Sequence, residues 1–83
     1  MAAQEVDVAG LVESIVTPLV EFKDELEITS SDNDDAILVE VRVNEEDAGK
    51  VIGRQGRVIK AIRTLARAAG SRVGANVDVE LID

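Results

Sequence analysis

The sequence predicts an α+β domain of order α-β-β-α-α-β, a three-stranded mixed sheet with helices packed on one face. Three observations predict it. Apolar residues near the N-terminus recur every three or four positions. Apolar and polar residues alternate in the middle and at the end of the chain. Between those strands, two helical patterns meet at a corner made by Gly53 and Gly56.

Residues 1–7 read as a flexible leader, and the domain as residues 8–83. Val8, Leu11, Val12, Ile15, Val16, Leu19 and Val20 then form one face of a helix, with Glu13 and Ser14 toward solvent. Pro18 lies inside that pattern. It removes a backbone donor and crowds the Ser14 carbonyl, so a kink or restart is expected, with Thr17 capping a last short turn. Leu26 and Ile28 alternate with Glu25, Glu27 and Thr29, the mark of a short strand. Ser30 to Asp35 is a polar turn cluster. Ile37, Val39, Val41 and Val43 alternate with Leu38, Glu40, Arg42 and Asn44, a strand with one buried face that pairs with the first as a hairpin.

Asn44 is an N-cap, and Glu45, Glu46 and Asp47 complement the dipole of a helix reaching Ile52, where Gly53 stops it. A longer helix is expected from Arg57 to Ala69 on the stripe Val58, Ile59, Ile62, Leu65, Ala66 and Ala69. A glycine-containing loop, Gly70 to Gly74, leads to a last strand from Ala75 to Ile82. That strand follows a helical crossover and so lies parallel to the Ile37–Val43 strand.

Eighty-three residues make one small domain. A chain of this size buries only about 60–65% of its unfolded surface, so either its packing is efficient or a second copy covers part of its apolar surface. There is no cysteine and no histidine. That excludes a disulfide framework, a thiolate zinc site, and any catalytic triad built on histidine. Neither a Walker A loop nor a dinucleotide-binding glycine pattern is present, and Asp32, Asp34 and Asp35 lack the spacing of a calcium loop. The residues therefore predict no enzyme, no cofactor and no metal. No apolar run nears the ~18 residues of a membrane span. The N-terminus lacks the basic stretch of a secretory signal, and a cytoplasmic location is expected.

The net charge of −8 opposes nucleic-acid binding until its distribution is considered. Lys50 to Arg72 carries seven basic residues and no acid. The remainder carries two basic and seventeen acidic residues, a balance of −15. Screening limits each charge to about 8–10 Å, so the basic segment keeps a positive field of its own. Within it, Gly53-Arg54-Gln55-Gly56 separates two helices. Glycine admits positive φ and close approach, and a helix start presents unpaired N–H groups, so an anion is the natural guest. Cations are disfavoured at a helix start by about 0.3–1 kcal/mol each, yet Arg54, Arg57 and Lys60 crowd there. The preceding helix keeps the rule with its three acids. A rule broken at one helix and kept at its neighbour points to function at the break.

Val51-Ile52-Gly53-x-x-Gly56-x-x-Ile59-x-x-Ile62 resembles the KH-domain motif, and the element order resembles the type II, prokaryotic form of that fold. The resemblance runs from Val8 to Ile82. It implies an RNA-binding protein that grips short single-stranded RNA through its G-x-x-G loop, with bases in an adjoining groove. Carried over by position, Gly53 to Gly56 hold phosphates with Arg54 and Gln55 at the tip. Lys50, Arg57 and Lys60 add charge. Val51, Ile52 and Ile59 floor the groove, and Arg72 with the last strand supplies the other wall. Arg63 and Arg67 fit a binding role and a solvated helix face equally well. The small stand-alone bacterial members of the family imply a chaperone-like or post-transcriptional role in RNA metabolism. They further imply pairing with a second copy or with a larger KH-containing protein, and a link to cell elongation and envelope growth. Two features restrain affinity. The single aromatic residue, Phe22, is far from the loop and fits a core or interface position, and Asp78 and Glu80 lie on the last strand. The competing reading is a KH-shaped protein-interaction module with little RNA binding, favoured by the acidic remainder of the chain.

Overall fold

The computed structural model describes residues 7–82. Helix α1 spans Val8–Val16, strand β1 Glu27–Asn33, strand β2 Ala36–Arg42, helix α2 Glu45–Ile52, helix α3 Arg57–Ser71 and strand β3 Asn76–Ile82. The sheet order is β1-β2-β3, with β1 antiparallel and β3 parallel to β2. Period-two alternation turns Val39, Val41, Val77 and Val79 toward the helices, where all four are buried. Val12 and Val16 from α1, Val51 from α2, and Ile62 and Ala66 from α3 meet them in one core. Ile62 is the largest side chain buried to 1% exposure, at the centre of α3. The predicted layer pair is therefore the observed one.

The differences are local. The first helix stops at Val16, and Thr17–Leu19 continues as a 3₁₀ turn with Pro18 inside it. Thr17 does not cap that turn: its hydroxyl donates back to the Glu13 carbonyl at 2.7 Å. Asp7, counted with the leader, caps α1 by accepting the Gly10 amide at 2.9 Å, and the rest of the leader lies outside the described residues. Strand β1 begins one residue after Leu26 and takes in Ser30 to Asn33, so the turn shrinks to Asp34-Asp35, with Asp34 at φ 59°. Ser30 to Asn33 are exposed side chains held by main-chain pairing to β2 alone, a strand that leaves no hydrophobic alternation to read.

Two corrections fall on α3. Leu65, placed in the buried stripe, is 51% exposed. Gly70, placed in the loop, is the last buried residue of the helix. A Cβ there would run into Val77 Cγ2 and stand 3.0 Å from the Ala75 carbonyl oxygen, so only glycine lets α3 close onto β3.

Candidate nucleic-acid interface

Asn44 caps α2 as expected, its Oδ1 accepting the Glu46 amide at 2.8 Å. The helix then ends at Gly53, with φ 78° and ψ 172°, a region open to glycine alone. A Cβ on Gly53 would overlap the Val58 side chain. Gln55 (φ 57°, ψ 25°) and Gly56 (φ 75°, ψ 15°) follow in the left-handed region and turn the chain into α3. Gly56 has space around it, the nearest atom to a Cβ being 3.9 Å away, so its backbone angle alone calls for glycine.

The turn uses several of its own amides. Gly53 N–H donates to the Gly49 carbonyl at 2.8 Å, Gly56 N–H to the Gly53 carbonyl at 3.1 Å, and Arg57 N–H to the Arg54 carbonyl. The unpaired N–H groups expected at this helix start are thus fewer than a bare helix end would present. Among the described residues, the amides left without a protein acceptor at the tip are those of Arg54 and Gln55. Both residues are exposed. Arg57 lies beside them, donating from Nη2 to Gln55 Oε1 at 3.3 Å. Among the described residues, no carboxylate lies within 4.0 Å of the cationic groups of Arg54, Arg57 or Lys60. Two open amides and three unpaired cations therefore share one exposed end of α3.

Other expected site residues stand elsewhere. Lys50 is not a free cation. Its Nζ lies 3.2 Å from Asp47 Oδ1 and 3.6 Å from Glu21 Oε1. Val51 is fully buried and Ile59 nearly so. They pack α2 and α3 together beneath the loop, and of the expected apolar floor only Ile52, at 39%, is exposed. Arg72 is exposed but caps the far end of α3, fifteen residues and roughly 22 Å along the axis from Arg57. Arg63 and Arg67 face β3: Arg63 Nε donates to the Val79 carbonyl at 3.0 Å, and Arg67 Nη2 is 3.8 Å from Asp78 Oδ1. A hollow of about 360 Å³ opens beside the β1–β2 hairpin, lined in part by Leu38, Asn76 and Asp78. It lacks a cation among its lining residues and does not adjoin the loop.

One residue beneath the site carried no sequence signal of its role. Asp47 is completely buried. Its carboxylate accepts the Glu21 and Phe22 amides, each at 3.0 Å, and the Lys50 ammonium. Burial works to raise its pKa, but the two amides and Lys50 outweigh it and hold the carboxyl below its ordinary value. Lys50 is shifted upward, first by its hydrogen bond to Asp47, against a smaller opposing effect of desolvation. Asp47 thereby ties the segment after α1 to the helix that carries the loop. An acid in a helix's first turn looks ordinary in sequence, and only its partners mark it.

Three helices over one face of a mixed sheet, with a Gly-x-x-Gly corner joining two of them, define a KH domain. The family model described as KhpA/KhpB, KH domain matches residues 9–81. The chain belongs to that family. It is 42% identical over 73 residues to a protein of Listeria monocytogenes named RNA-binding protein KhpA, covering 88% of this chain and 96% of that one. The protein of the same name in Bacillus subtilis is 42% identical over 88% of this chain and 90% of its own length. That of Aquifex aeolicus is 36% identical over 88% and 92%. No solved structure matches the chain at a comparable level of significance. Among the described residues, no helix is long and apolar enough to cross a membrane.

Proposed function

We propose that this protein binds short single-stranded RNA in the cytoplasm, with the Gly53-Arg54-Gln55-Gly56 loop as its phosphate clamp. One observation carries the reading: the free amides of Arg54 and Gln55 coincide with the unpaired cations Arg54, Arg57 and Lys60 at the start of α3. Oriented amides and a positive helix end favour a phosphodiester, and three free cations strengthen that preference. The relatives from Listeria monocytogenes, Bacillus subtilis and Aquifex aeolicus are named RNA-binding proteins, which supports the same reading. Lys50, Val51 and Ile59 support the loop from behind. With no aromatic residue at the loop, binding is weak and tolerant of sequence, as suits a chaperone-like, post-transcriptional role in pathways such as cell elongation and envelope growth.

The test replaces Arg54 and Gln55 together by Asp. RNA retention is lost while helical circular dichroism is unchanged. Retention equal to wild type sinks the clamp.

A second reading concerns partners. Leu65 is half exposed between the exposed Ala61 and Ala68 on one face of α3. That face suits pairing with a second copy or with a larger KH protein of the KhpB (Jag) kind. Leu65→Glu, exposed and so harmless to the core, abolishes self-association in sedimentation experiments. A wild type that is monomeric alone and with such a partner removes this reading without touching the first.

A further inference from the structure

We infer that Asp78 is a specificity-determining residue of the nucleic-acid groove, an internal anion that confines ligand phosphates to the loop end of α3. The inference rests on the single-strand reading proposed above.

The Val79 side chain is buried in the core, so its N–H and C=O lie in the plane of the sheet. Both are taken by side chains. Asp78 Oδ1 accepts the N–H at 3.0 Å, and Arg63 Nε donates to the carbonyl at 3.0 Å. These groups therefore lie on the edge of β3 away from β2, the edge along which α3 runs. The same Oδ1 of Asp78 stands 3.8 Å from Arg67 Nη2. The cations of α3 thus divide along the helix. Arg57 and Lys60 near the loop have no carboxylate partner among the described residues, whereas Arg63 is held by the strand and Arg67 is offset by Asp78. Glu80 shares the register face of Asp78, opposite Glu40, but among the described residues it makes no ion pair or side-chain hydrogen bond to α3.

A phosphate chain is attracted at the loop and meets no free positive charge at Arg67, which Asp78 offsets. A single strand satisfies this by laying its phosphates on the loop side and its bases toward β3. A duplex or a bare polyphosphate, which brings phosphates to both sides, does not. Arg67 and Asp78 are both more than half exposed and their contact is long, so the pair biases binding and does not lock the groove.

Asp78→Asn removes the charge and keeps an oxygen for the Val79 amide; Asp78→Ala removes both. Each protein is titrated by fluorescence anisotropy across a salt series with a single-stranded oligoribonucleotide, a blunt duplex of the same sequence, and inorganic polyphosphate. In Asp78→Asn the salt slope steepens by about 0.7–1. Duplex and polyphosphate tighten by about three- to ten-fold at low salt, more than the single strand does. Asp78→Ala gives the same shift in ligand ranking, which separates charge from the hydrogen bond. Unchanged slope and ranking in both variants, with the wild type still binding the single strand, overturn the role of Asp78 alone. A wild type that binds no oligonucleotide overturns the parent reading and this one with it.

Discussion

The Asp47 carboxylate accepts the backbone N–H of Phe22 at 3.0 Å across a sequence separation of 25 residues. This contact, with its twin to Glu21, joins the exit of α1 to the first turn of α2. At the other end of α2 stands the glycine that opens the loop. Placement of the loop therefore depends on a carboxylate buried at the opposite end of α2.

Asp47→Ala leaves two backbone donors and Lys50 without their acceptor. The thermal midpoint falls by roughly 5–15 °C, measured by circular dichroism. The pH dependence has a definite sign. Because the folded-state pKa of Asp47 is lowered, its contribution is present above the ordinary aspartate value and is lost as pH falls through the folded one. Wild-type stability therefore drops below about pH 4, and the Asp47→Ala variant loses less over that range. Lys50 has the opposite sense. Its pKa is raised, so its contribution holds below the ordinary lysine value and fades as pH climbs through the folded one.

The two loop glycines are not equivalent. At Gly53 a methyl group meets both an unfavourable φ and the Val58 side chain, so Gly53→Ala costs about 2–4 kcal/mol in urea unfolding. At Gly56 only the angle is unfavourable, and Gly56→Ala costs about 1–2 kcal/mol. Equal losses at both positions count against this geometry.

Gly70→Ala forces a methyl group into Val77 and the Ala75 carbonyl. The variant loses about 1–3 kcal/mol. Amide exchange quickens in β3 before it does in β1, because α3 packs on β3 at that point.

On the proposed clamp, the three loop cations without a carboxylate partner among the described residues set the salt dependence of RNA binding. The log–log slope is about −2 on single strands, and removal of Arg54, Arg57 or Lys60 reduces its size by about 0.7 each. Arg72→Ala leaves the slope unchanged, since Arg72 lies at the other end of α3. A slope near zero removes phosphate neutralisation as the basis of affinity.

Much of the fold was legible because its signals are local. Alternation in Ile37 to Val43 and spacing in Val8 to Val16 report faces, and the glycines at 53 and 56 report turns. The second half of strand β1 escaped because Ser30 to Asn33 bury nothing, and Leu65 misled because an apolar residue at helical spacing need not meet the core.

By itself the sequence determined the element order, the position of the corner and the run of seven cations from Lys50 to Arg72 that contains it, since these follow from neighbours a few residues apart. Only the tertiary structure decided which of those cations are free. Lys50 is held by the buried Asp47 with Glu21, 29 positions before it, beside them, Arg63 is held by a strand carbonyl 16 positions after it, and Arg67 faces Asp78. Charge is carried by each residue, but its availability depends on what folding brings within a few ångströms, where the Coulomb and hydrogen-bond energies reside.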